Sequence, residues 1–392
     1  MLHDALAELP PGCAPACGAC ERPRSVEESL AGKKARAIRA LSRWEDRIED
    51  IVSPPEERRL GYRDRTALKA LWTPEERWRF GMEGVRTDVR GPLRFARPRP
   101  FVPLTDCPVH TERIRKMLHL PASALPPDEP EGSFPLSFLV VSGAQATFVF
   151  KAKTEPPSDG WLFEPRDGSP SLADALGDIG IEGLWFHANP AAGVRLFAKR
   201  GWRLAWGAPR SADSRGLLYG PASFSQLLPE LHDASLDEAR RFLVPGAGDA
   251  AADLYCGIGA SLRLWRKCGA DALGVEGSGE AVECALHNAP GAAVLRGSCA
   301  DRAPMISDFL RSVPPERRIA YVNPPRTGLE PQVAELLASH QLRGAAYLSC
   351  SPGTLARDLA ILEKEYIVER LVPYDFFPRT AAVEVLALLR GR

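Results

Sequence analysis

The sequence has no long apolar run, no net charge and no internal repeat, and each absence excludes a class of protein. No stretch approaches the ~18 consecutive apolar residues of a membrane-spanning helix. The N-terminus lacks the basic-then-apolar order of a secretory signal, so we expect a cytoplasmic protein without a membrane partner. The 50 Lys and Arg balance 50 Asp and Glu, so no overall field attracts nucleic acid. At the usual ~100–200 residues per domain, two or three domains are expected.

The nine cysteines are an odd number scattered through 392 residues, which favours reduced thiols over a disulfide framework. Cys13, Cys17 and Cys20 stand close together, separated by Gly and Pro residues that allow a tight loop. Cys107 is the best fourth ligand, because the other five cysteines lie in the C-terminal half. Four thiolates suit a [4Fe–4S] cluster or zinc. Two alternatives remain: free thiols, and a cluster with one unligated iron as in radical enzymes. In those enzymes the cysteines follow the first strand of a barrel, and no strand is predicted before the cysteines here.

Composition divides the chain into three segments, at residues 1–120, 121–220 and 221–392. In the first, residues 25–51 read as one amphipathic helix. Its basic face is made of Lys33, Lys34, Arg36, Arg39 and Arg43. Residues 21–120 hold about 23 Lys and Arg against about 16 Asp and Glu, so this segment is either a solvated surface or a surface for RNA.

The second segment is a β-rich module, which we assign to RNA binding. It follows a Pro-rich stretch over residues 121–132. Residues 134–141 and 146–152 are β-prone and could pair with each other. Residues 193–198 and 202–206 flank a Lys-Arg-Gly turn that is typical of a hairpin.

The third segment alternates β-prone and helical patterns, which specifies an α/β fold with a parallel sheet. The predicted strands are 250–255, 271–275, 293–297, 318–322 and 343–348. The predicted helices are 260–268, 279–289, 303–311, 330–340 and 353–364. Two further strands, 366–374 and 382–389, form a terminal hairpin. A hairpin on a parallel sheet is typical of class I methyltransferases, so we expect their doubly wound sheet here.

A glycine turn after the first of these strands indicates a cofactor site. Gly257 and Gly259 permit a tight turn and close approach of a ligand to the backbone. Glu276 ends the next strand, at the distance where an acid bonds the ribose hydroxyls of an adenosine cofactor. The third glycine of the dinucleotide pattern is replaced by Leu262, which disfavours NAD and favours S-adenosylmethionine.

Cys350 ends a β-prone run, directly before a helix that Pro352 opens. Residues at the carboxyl ends of strands face the ligand crevice of an open α/β sheet. A helix N-terminus lowers the pKa of a thiol, so Cys350 is a candidate nucleophile; a small core residue is the alternative. Asn323-Pro-Pro is the pattern of amino-group methyltransferases, but Arg326 stands where their stacking aromatic would be.

Five motifs follow one another in the order of a known family. They are Phe224-Ser-Gln226, Asp253-Leu-Tyr-Cys-Gly257-Ile-Gly259, Asn323-Pro-Pro-Arg326-Thr-Gly, Ser349-Cys350-Ser-Pro-Gly-Thr, and Phe377-Pro-Arg-Thr-Ala-Ala-Val-Glu384. In these the chain resembles the S-adenosylmethionine-dependent RNA uracil-5 methyltransferases, and its cysteine loop is similar to the [4Fe–4S] loop of their rRNA members. The short rRNA type, without an N-terminal β-barrel RNA-binding domain, is the nearest likeness.

This resemblance implies Cys350 as nucleophile and Glu384 as base, with Gln226, Tyr255, Glu276 and Asn323 around the cofactor. A thiolate added to C6 of uracil makes C5 nucleophilic, and a carboxylate then removes the C5 proton. A surface acid is the other reading of Glu384, which its apolar neighbours disfavour.

We expect RNA as the partner, ribosomal RNA before transfer RNA, and a monomer. The expected activity is methylation of uracil C5, and we expect this activity to require Cys350. Two other functions stay open. An amino-group methyltransferase would not need Cys350, and a non-catalytic iron–sulfur RNA-binding protein would not bind S-adenosylmethionine.

Overall fold

The computed structural model describes residues 9–21, 25–84, 100–120, 124–153, 158–165 and 170–392, and these fall into two compact units. The first unit takes in the described residues among Met1–Arg22, Glu57–Asp213 and Gly220–Ala222. The second unit takes in those among Pro23–Glu56, Ser214–Tyr219 and Ser223–Arg392. The boundaries of these units differ from those of the three predicted segments. The predicted basic helix lies in the same unit as the C-terminal segment, and the cysteine loop does not. The strands before residue 121 lie in the same unit as the β-rich module.

The helices, in chain order, are α1 (Val26–Ala40), α2 (Glu112–His119), α3 (Leu172–Asp178), α4 (Pro229–Leu243), α5 (Ala260–Lys267), α6 (Gly279–Asn288), α7 (Ala303–Arg311), α8 (Pro331–Ser339) and α9 (Pro352–Leu362). Short 3-10 helices cover Ser42–Arg47, Glu56–Arg58, Gly160–Leu162 and Pro315–Arg317. The strands are β1 (Arg65–Thr73), β2 (Arg77–Glu83), β3 (Phe101–Pro103), β4 (Leu136–Ser142), β5 (Gln145–Phe150), β6 (Gly183–Ala188), β7 (Trp202–Gly207), β8 (Ser211–Ala212), β9 (Leu218–Tyr219), β10 (Ala250–Leu254), β11 (Asp271–Glu276), β12 (Ala293–Arg296), β13 (Arg318–Val322), β14 (Gly344–Ser349), β15 (Tyr366–Tyr374) and β16 (Glu384–Gly391).

The first unit is built on a sheet whose described strands run in the order β3-β2-β1-β4-β5-β6-β7. Its pairs are antiparallel except β5 with β6, and the predicted pairing of β4 with β5 is confirmed. Buried aromatic side chains fill the core beneath the sheet, among them Phe134, Phe148, Trp161 and Phe186.

The predicted hairpin of 193–198 with 202–206 was wrong, because β7 pairs with β6 and residues 189–201 form a loop. The buried side chain of Asn189 donates to the carbonyl oxygens of Arg195 and Leu196, at 2.5 and 3.1 Å. The ring of His187 accepts the Ala198 N–H at 3.0 Å. These side chains bind the backbone groups that a strand would have paired.

The second unit contains the α/β sheet, in the order β12-β11-β10-β13-β14-β16-β15. Strands β10 to β14 pair in parallel, and β16 runs antiparallel between β14 and β15. The predicted strands and helices agree with the structure to within about two residues at each end. Strands covered by helices on both faces become continuous apolar runs, and β10 and β14 are buried along their whole length. The predicted α/β class and terminal hairpin are confirmed.

The helix α1 packs onto this sheet and is not a free basic surface. Ala37, Leu41 and Trp44 join the core of the second unit, and the Lys33 side chain is 0% exposed. The predicted helix over 25–51 ends at Ala40, where a kinked 3-10 turn follows. In the described ranges we find no helix whose length and apolarity would let it span a bilayer.

Candidate active site

A cavity of about 770 Å³ lies in the second unit, at the carboxyl ends of its parallel strands. The segments that follow β10, β11, β12, β13 and β14 each contribute to its wall, as does the start of β16. This is the edge of an open α/β sheet where ligands bind. The predicted site residues in the wall are Gln226, Tyr255, Gly257, Glu276, Asn323, Cys350 and Glu384.

The glycine turn holds the acid of the next strand against its backbone. The N–H of Gly257, at φ +55°, donates to Glu276 Oε2 at 3.1 Å, and Glu276 Oε1 accepts the Ser278 N–H at 2.7 Å. Gly259 lies outside the wall and serves packing instead. Its φ is +84°, and a Cβ there would lie 3.0 Å from Ala285 Cα. The turn therefore needs both glycines, for different reasons.

Tyr255 and Asn323 lie on either side of the turn. Tyr255 has a positive φ of 61°, which costs energy for a residue with a side chain, and its hydroxyl donates to the Glu330 carboxylate. The N–H of Asn323 donates to the Leu254 carbonyl at 3.2 Å, so the loop after β13 is fixed to the end of β10.

Glu384 is buried at the start of β16, with 3% of its surface exposed. Burial raises its pKa to about 7, while a hydrogen bond from Gln226 and the charge of Arg326 act in the opposite direction. Gln226 Nε2 donates to Glu384 Oε2 at 3.3 Å. Gln226 Oε1 is buried and has no partner in the described part of the chain. A carboxyl group whose pKa lies near neutrality can exchange a proton at physiological pH.

Cys350 is half-buried beside this carboxyl group. Burial raises its thiol pKa, the Glu384 charge raises it further, and Arg326 lowers it. The sequence predicted a pKa lowered by the N-terminus of the following helix. In the structure burial is the largest influence on this pKa and raises it. The helix α9 begins two residues further on, at Pro352.

Arg326 is the site residue that the sequence analysis missed. It was noted only as a missing aromatic, yet its guanidinium lowers the pKa of both Cys350 and Glu384. Its loop is held by α9: the Thr354 hydroxyl donates to the Arg326 carbonyl at 3.3 Å, and Arg357 donates to the Thr327 carbonyl at 3.0 Å. The sequence signal that could have identified Arg326 was a cation directly after Asn323-Pro-Pro.

Residues 316–392 match a family model described as tRNA (uracil-5-)-methyltransferase. The matched stretch contains Asn323, Arg326, Cys350 and Glu384, all of which line the cavity. In this stretch the chain is similar to the RNA uracil-5 methyltransferases.

Two curated relatives of this chain carry the name 23S rRNA (uracil(1939)-C(5))-methyltransferase RlmD. The protein of Thiobacillus denitrificans is 36% identical over 179 residues, which are 43% of this chain and 40% of the relative. The protein of Aromatoleum aromaticum is 30% identical over 222 residues, 55% of this chain and 51% of the relative. The chain thus spans about half of these relatives or less.

A solved structure shares the fold of this chain. The tRNA (uracil-54, C5)-methyltransferase of Pyrococcus abyssi, solved with S-adenosyl-L-homocysteine, aligns with a TM-score of 0.64 at 20% identity. The alignment covers 96% of this chain and 86% of that one. At this identity the likeness concerns the fold alone.

The cysteine loop lies in the first unit, where Cys17 and Cys107 pack against the same core. A Cβ on Gly12 would lie 2.3 Å from the Asp106 carbonyl oxygen, so the loop runs directly against the residue before Cys107. Burial raises the pKa of Cys107, and the thiols of Cys17 and Cys13 raise it further. Among the described residues no group of three donors is arranged as a metal site.

Proposed function

We propose that this protein is an enzyme that methylates C5 of uracil in RNA, with S-adenosylmethionine as methyl donor and Cys350 as nucleophile. The observation that carries the proposal is the shared cavity of Cys350 and Glu384, beside the Gly257 turn. The RlmD relatives support 23S ribosomal RNA as the substrate.

Cys350 and Glu384 perform complementary steps in this mechanism. The Cys350 thiolate adds to C6 of the target uracil, and the electron pair of the C5–C6 bond moves into an enolate that makes C5 nucleophilic. Once C5 carries the methyl group, Glu384 takes the C5 proton. The electrons of that C–H bond re-form the C5–C6 double bond as the C6–S bond breaks and releases the thiolate. The uracil has to leave its stack to reach a half-buried thiol.

The cavity fits S-adenosylmethionine, which supplies the electrophilic methyl group when bound. Gly257 leaves its side of the turn open, since a Cβ there would meet nothing within 4 Å. Glu276 offers the acid for ribose hydroxyls. Gln226 offers an unpartnered buried acceptor, and Tyr255 and Asn323 complete the wall. We therefore assign these residues to cofactor binding.

The pKa values suit the two roles. Glu384, with a pKa raised to about 7, is an effective base at neutral pH and an acid once protonated. Arg326 opposes the effect of burial on the Cys350 thiol, so it supports formation of the thiolate. We assign Arg326 to thiol activation.

The Cys350→Ala variant tests the mechanism. We expect it to lose methyl transfer and the covalent complex with 5-fluorouracil RNA, in which C5 has no proton to give up. Cys268→Ala is the matched control, a half-buried cysteine of the same unit outside the cavity wall. Normal turnover by Cys350→Ala, with methyl transferred to an amine, would favour an amino-group methyltransferase. An absence of S-adenosylmethionine binding in calorimetry would favour a non-catalytic RNA-binding protein.

The 189–201 loop of the first unit supports RNA as the partner. Arg195, Lys199 and Arg200 are exposed there, and none of them has an ion-pair partner among the residues that the structure describes. The loop is held rigidly, since His187 and Asn189 bind its backbone and the His187 ring stacks on Trp202 with centroids 4.1 Å apart. Fixed cations are suited to backbone phosphates.

Salt dependence tests this surface. Each phosphate contact to single-stranded nucleic acid contributes about −0.7 to the slope of log K against log salt. A triple Gln variant of Arg195, Lys199 and Arg200 should therefore flatten the slope by roughly 2. The matched control neutralises three exposed cations of the second unit: Lys267, Arg311 and Lys364. Equal slopes for the two triple variants would remove the loop from the RNA interface.

We also propose that Cys13, Cys17, Cys20 and Cys107 hold a [4Fe–4S] cluster. Four thiols are the right donor set, and the mutual influence of Cys13, Cys17 and Cys107 supports their convergence. Anaerobically purified protein should then contain about four irons per chain and lose them in Cys107→Ser. One zinc per chain in colourless protein would identify a structural zinc site instead.

A further inference from the structure

The helix α1 is bonded to the connection between β15 and β16 through a buried cation. The Lys33 ammonium forms an ion pair with Asp375, and both side chains are 0% exposed. The same ammonium donates to the Phe377 carbonyl at 2.9 Å. One turn of helix away, Arg36 donates to the Ala381 carbonyl at 3.0 Å. Residues more than 340 positions apart in the sequence are thus in direct contact.

This connection forms part of the cavity wall and leads into the base. Phe377 and Ala382 line the cavity, Val383 is buried, and Glu384 is the first residue of β16. The connection contains little regular structure of its own. Its internal hydrogen bonds in the described part of the chain include two from Thr380, whose N–H and hydroxyl donate to the Phe377 carbonyl, and one from the Ala382 N–H to the Thr380 hydroxyl at 3.2 Å. Contacts from outside therefore decide where it lies.

The segment after α1 holds the other end of the connection. Val52 donates to the Pro373 carbonyl at 2.8 Å, and the Asp375 N–H donates to the Val52 carbonyl at 2.8 Å. Asp375 is therefore held by its backbone from one side and by its carboxylate from the other. Two residues further on, Phe377 of the cavity wall accepts a hydrogen bond from the Lys33 ammonium through its carbonyl oxygen.

We propose that Lys33 is a positioning residue for Glu384, acting through the Asp375–Val383 connection. This rests on the proposed function only in assigning Glu384 the role of base. A buried ion pair gives little net stability over apolar side chains of similar volume. The ion pair does fix the orientation of the groups that it joins, since an ammonium with two acceptors tolerates fewer arrangements than a packed methyl group. Misplacement of a reacting group by about 1 Å costs roughly a hundredfold in rate.

The Lys33→Met variant tests the proposal, with Lys34→Met as its control. Lys34 is the adjacent cation, but it is partly exposed and pairs with Asp50, whose side chain is 98% exposed. With ordinary uracil RNA, Lys33→Met should lower kcat about tenfold or more, with KM for RNA nearly unchanged. A denaturation-resistant protein–RNA adduct should accumulate, because the methylated uracil keeps its C5 proton and the C6–S bond persists.

The same variant should form the 5-fluorouracil adduct at about the normal rate, because that adduct needs Cys350 and no base. Equal loss of both reactions would overturn the proposal, since it would indicate general damage. Lys34→Met should behave as wild type in both assays. A Lys33→Met variant that also behaves as wild type would equally overturn it.

A second variant separates positioning from stability. Lys33→Met combined with Asp375→Leu removes both charges and should restore the melting temperature. If Lys33 only stabilises the fold, kcat returns as well. If Lys33 positions the connection, kcat stays low because no ammonium binds the Phe377 carbonyl in the double variant.

Hydrogen exchange gives a readout that does not depend on the reaction. Amides of residues 376–383 should exchange faster in Lys33→Met than in Lys34→Met. If the wild-type protein fails to methylate uracil, the proposed function fails while this exchange difference persists. If exchange is unchanged and wild-type methylation is normal, the positioning role alone fails.

Discussion

Removing the ammonium of Lys33 takes a positive charge away from the buried Asp375 carboxylate, and the cost can be worked out from the structure. Both side chains are fully buried, so water cannot replace the lost partner. Breaking a buried ion pair from one side costs about 3–5 kcal/mol. In a unit of this size each kcal/mol lowers the melting temperature by roughly 2–4 °C. Lys33→Met should therefore lower it by about 6–20 °C, and Lys34→Met should stay within ~1 kcal/mol.

The assay is calorimetric melting of five proteins: wild type, Lys33→Met, Lys34→Met, Asp375→Leu, and the double variant of Lys33→Met with Asp375→Leu. Each single variant should be strongly destabilised, and the double variant should lie within about 1 kcal/mol of wild type or above it. This non-additivity is the signature of a pair whose desolvation nearly cancels its attraction. The reasoning would be refuted if Lys33→Met melted at the same temperature as Lys34→Met. It would also be refuted if the destabilisations of the two single variants simply added in the double variant.

Two further predictions concern the charges in the cavity. Burial raises the pKa of Glu384 to about 7, so its contribution to stability is present below pH ~4.5 and lost as the pH rises through 7. In urea denaturation, Glu384→Gln should thus stabilise the protein by ~3 kcal/mol at pH 8 and hardly at pH 4.5. Equal stabilisation at the two pH values would contradict the raised pKa of Glu384. Arg326→Gln should slow 5-fluorouracil adduct formation roughly tenfold at pH 7, recovering as the pH rises, with Arg326→Lys closer to wild type; a loss independent of pH would exclude thiol activation.

The α/β unit could be predicted from the sequence because its signal is local. Strands such as β10 and β14 are buried on both faces, so they are short apolar runs, and helical patterns separate them. The meeting of Cys350 and Glu384 in one cavity followed from the same topology, since it depends on strand ends and not on side-chain detail.

Long-range partners could not be predicted in this way. Lys33 was assigned to a basic surface because helical periodicity orders the faces of a helix without saying what covers each one. Residues 193–198 were taken for a strand because Val194, Leu196 and Phe197 have β propensity. The hydrogen bonds of Asn189 outweighed that preference. The pKa of Cys350 also depends on desolvation, which only the packed structure supplies.

The second unit is assembled from an early piece of chain, residues 23–56, and from later pieces, residues 214–219 and 223–392, with most of the first unit between them. On the ribosome, α1 emerges hundreds of residues before the strands that cover Ala37 and Leu41. At ~5–20 residues per second, its apolar side waits for tens of seconds without a partner. Nascent chains halted before β15 should therefore engage chaperones through α1, while the first unit can already fold.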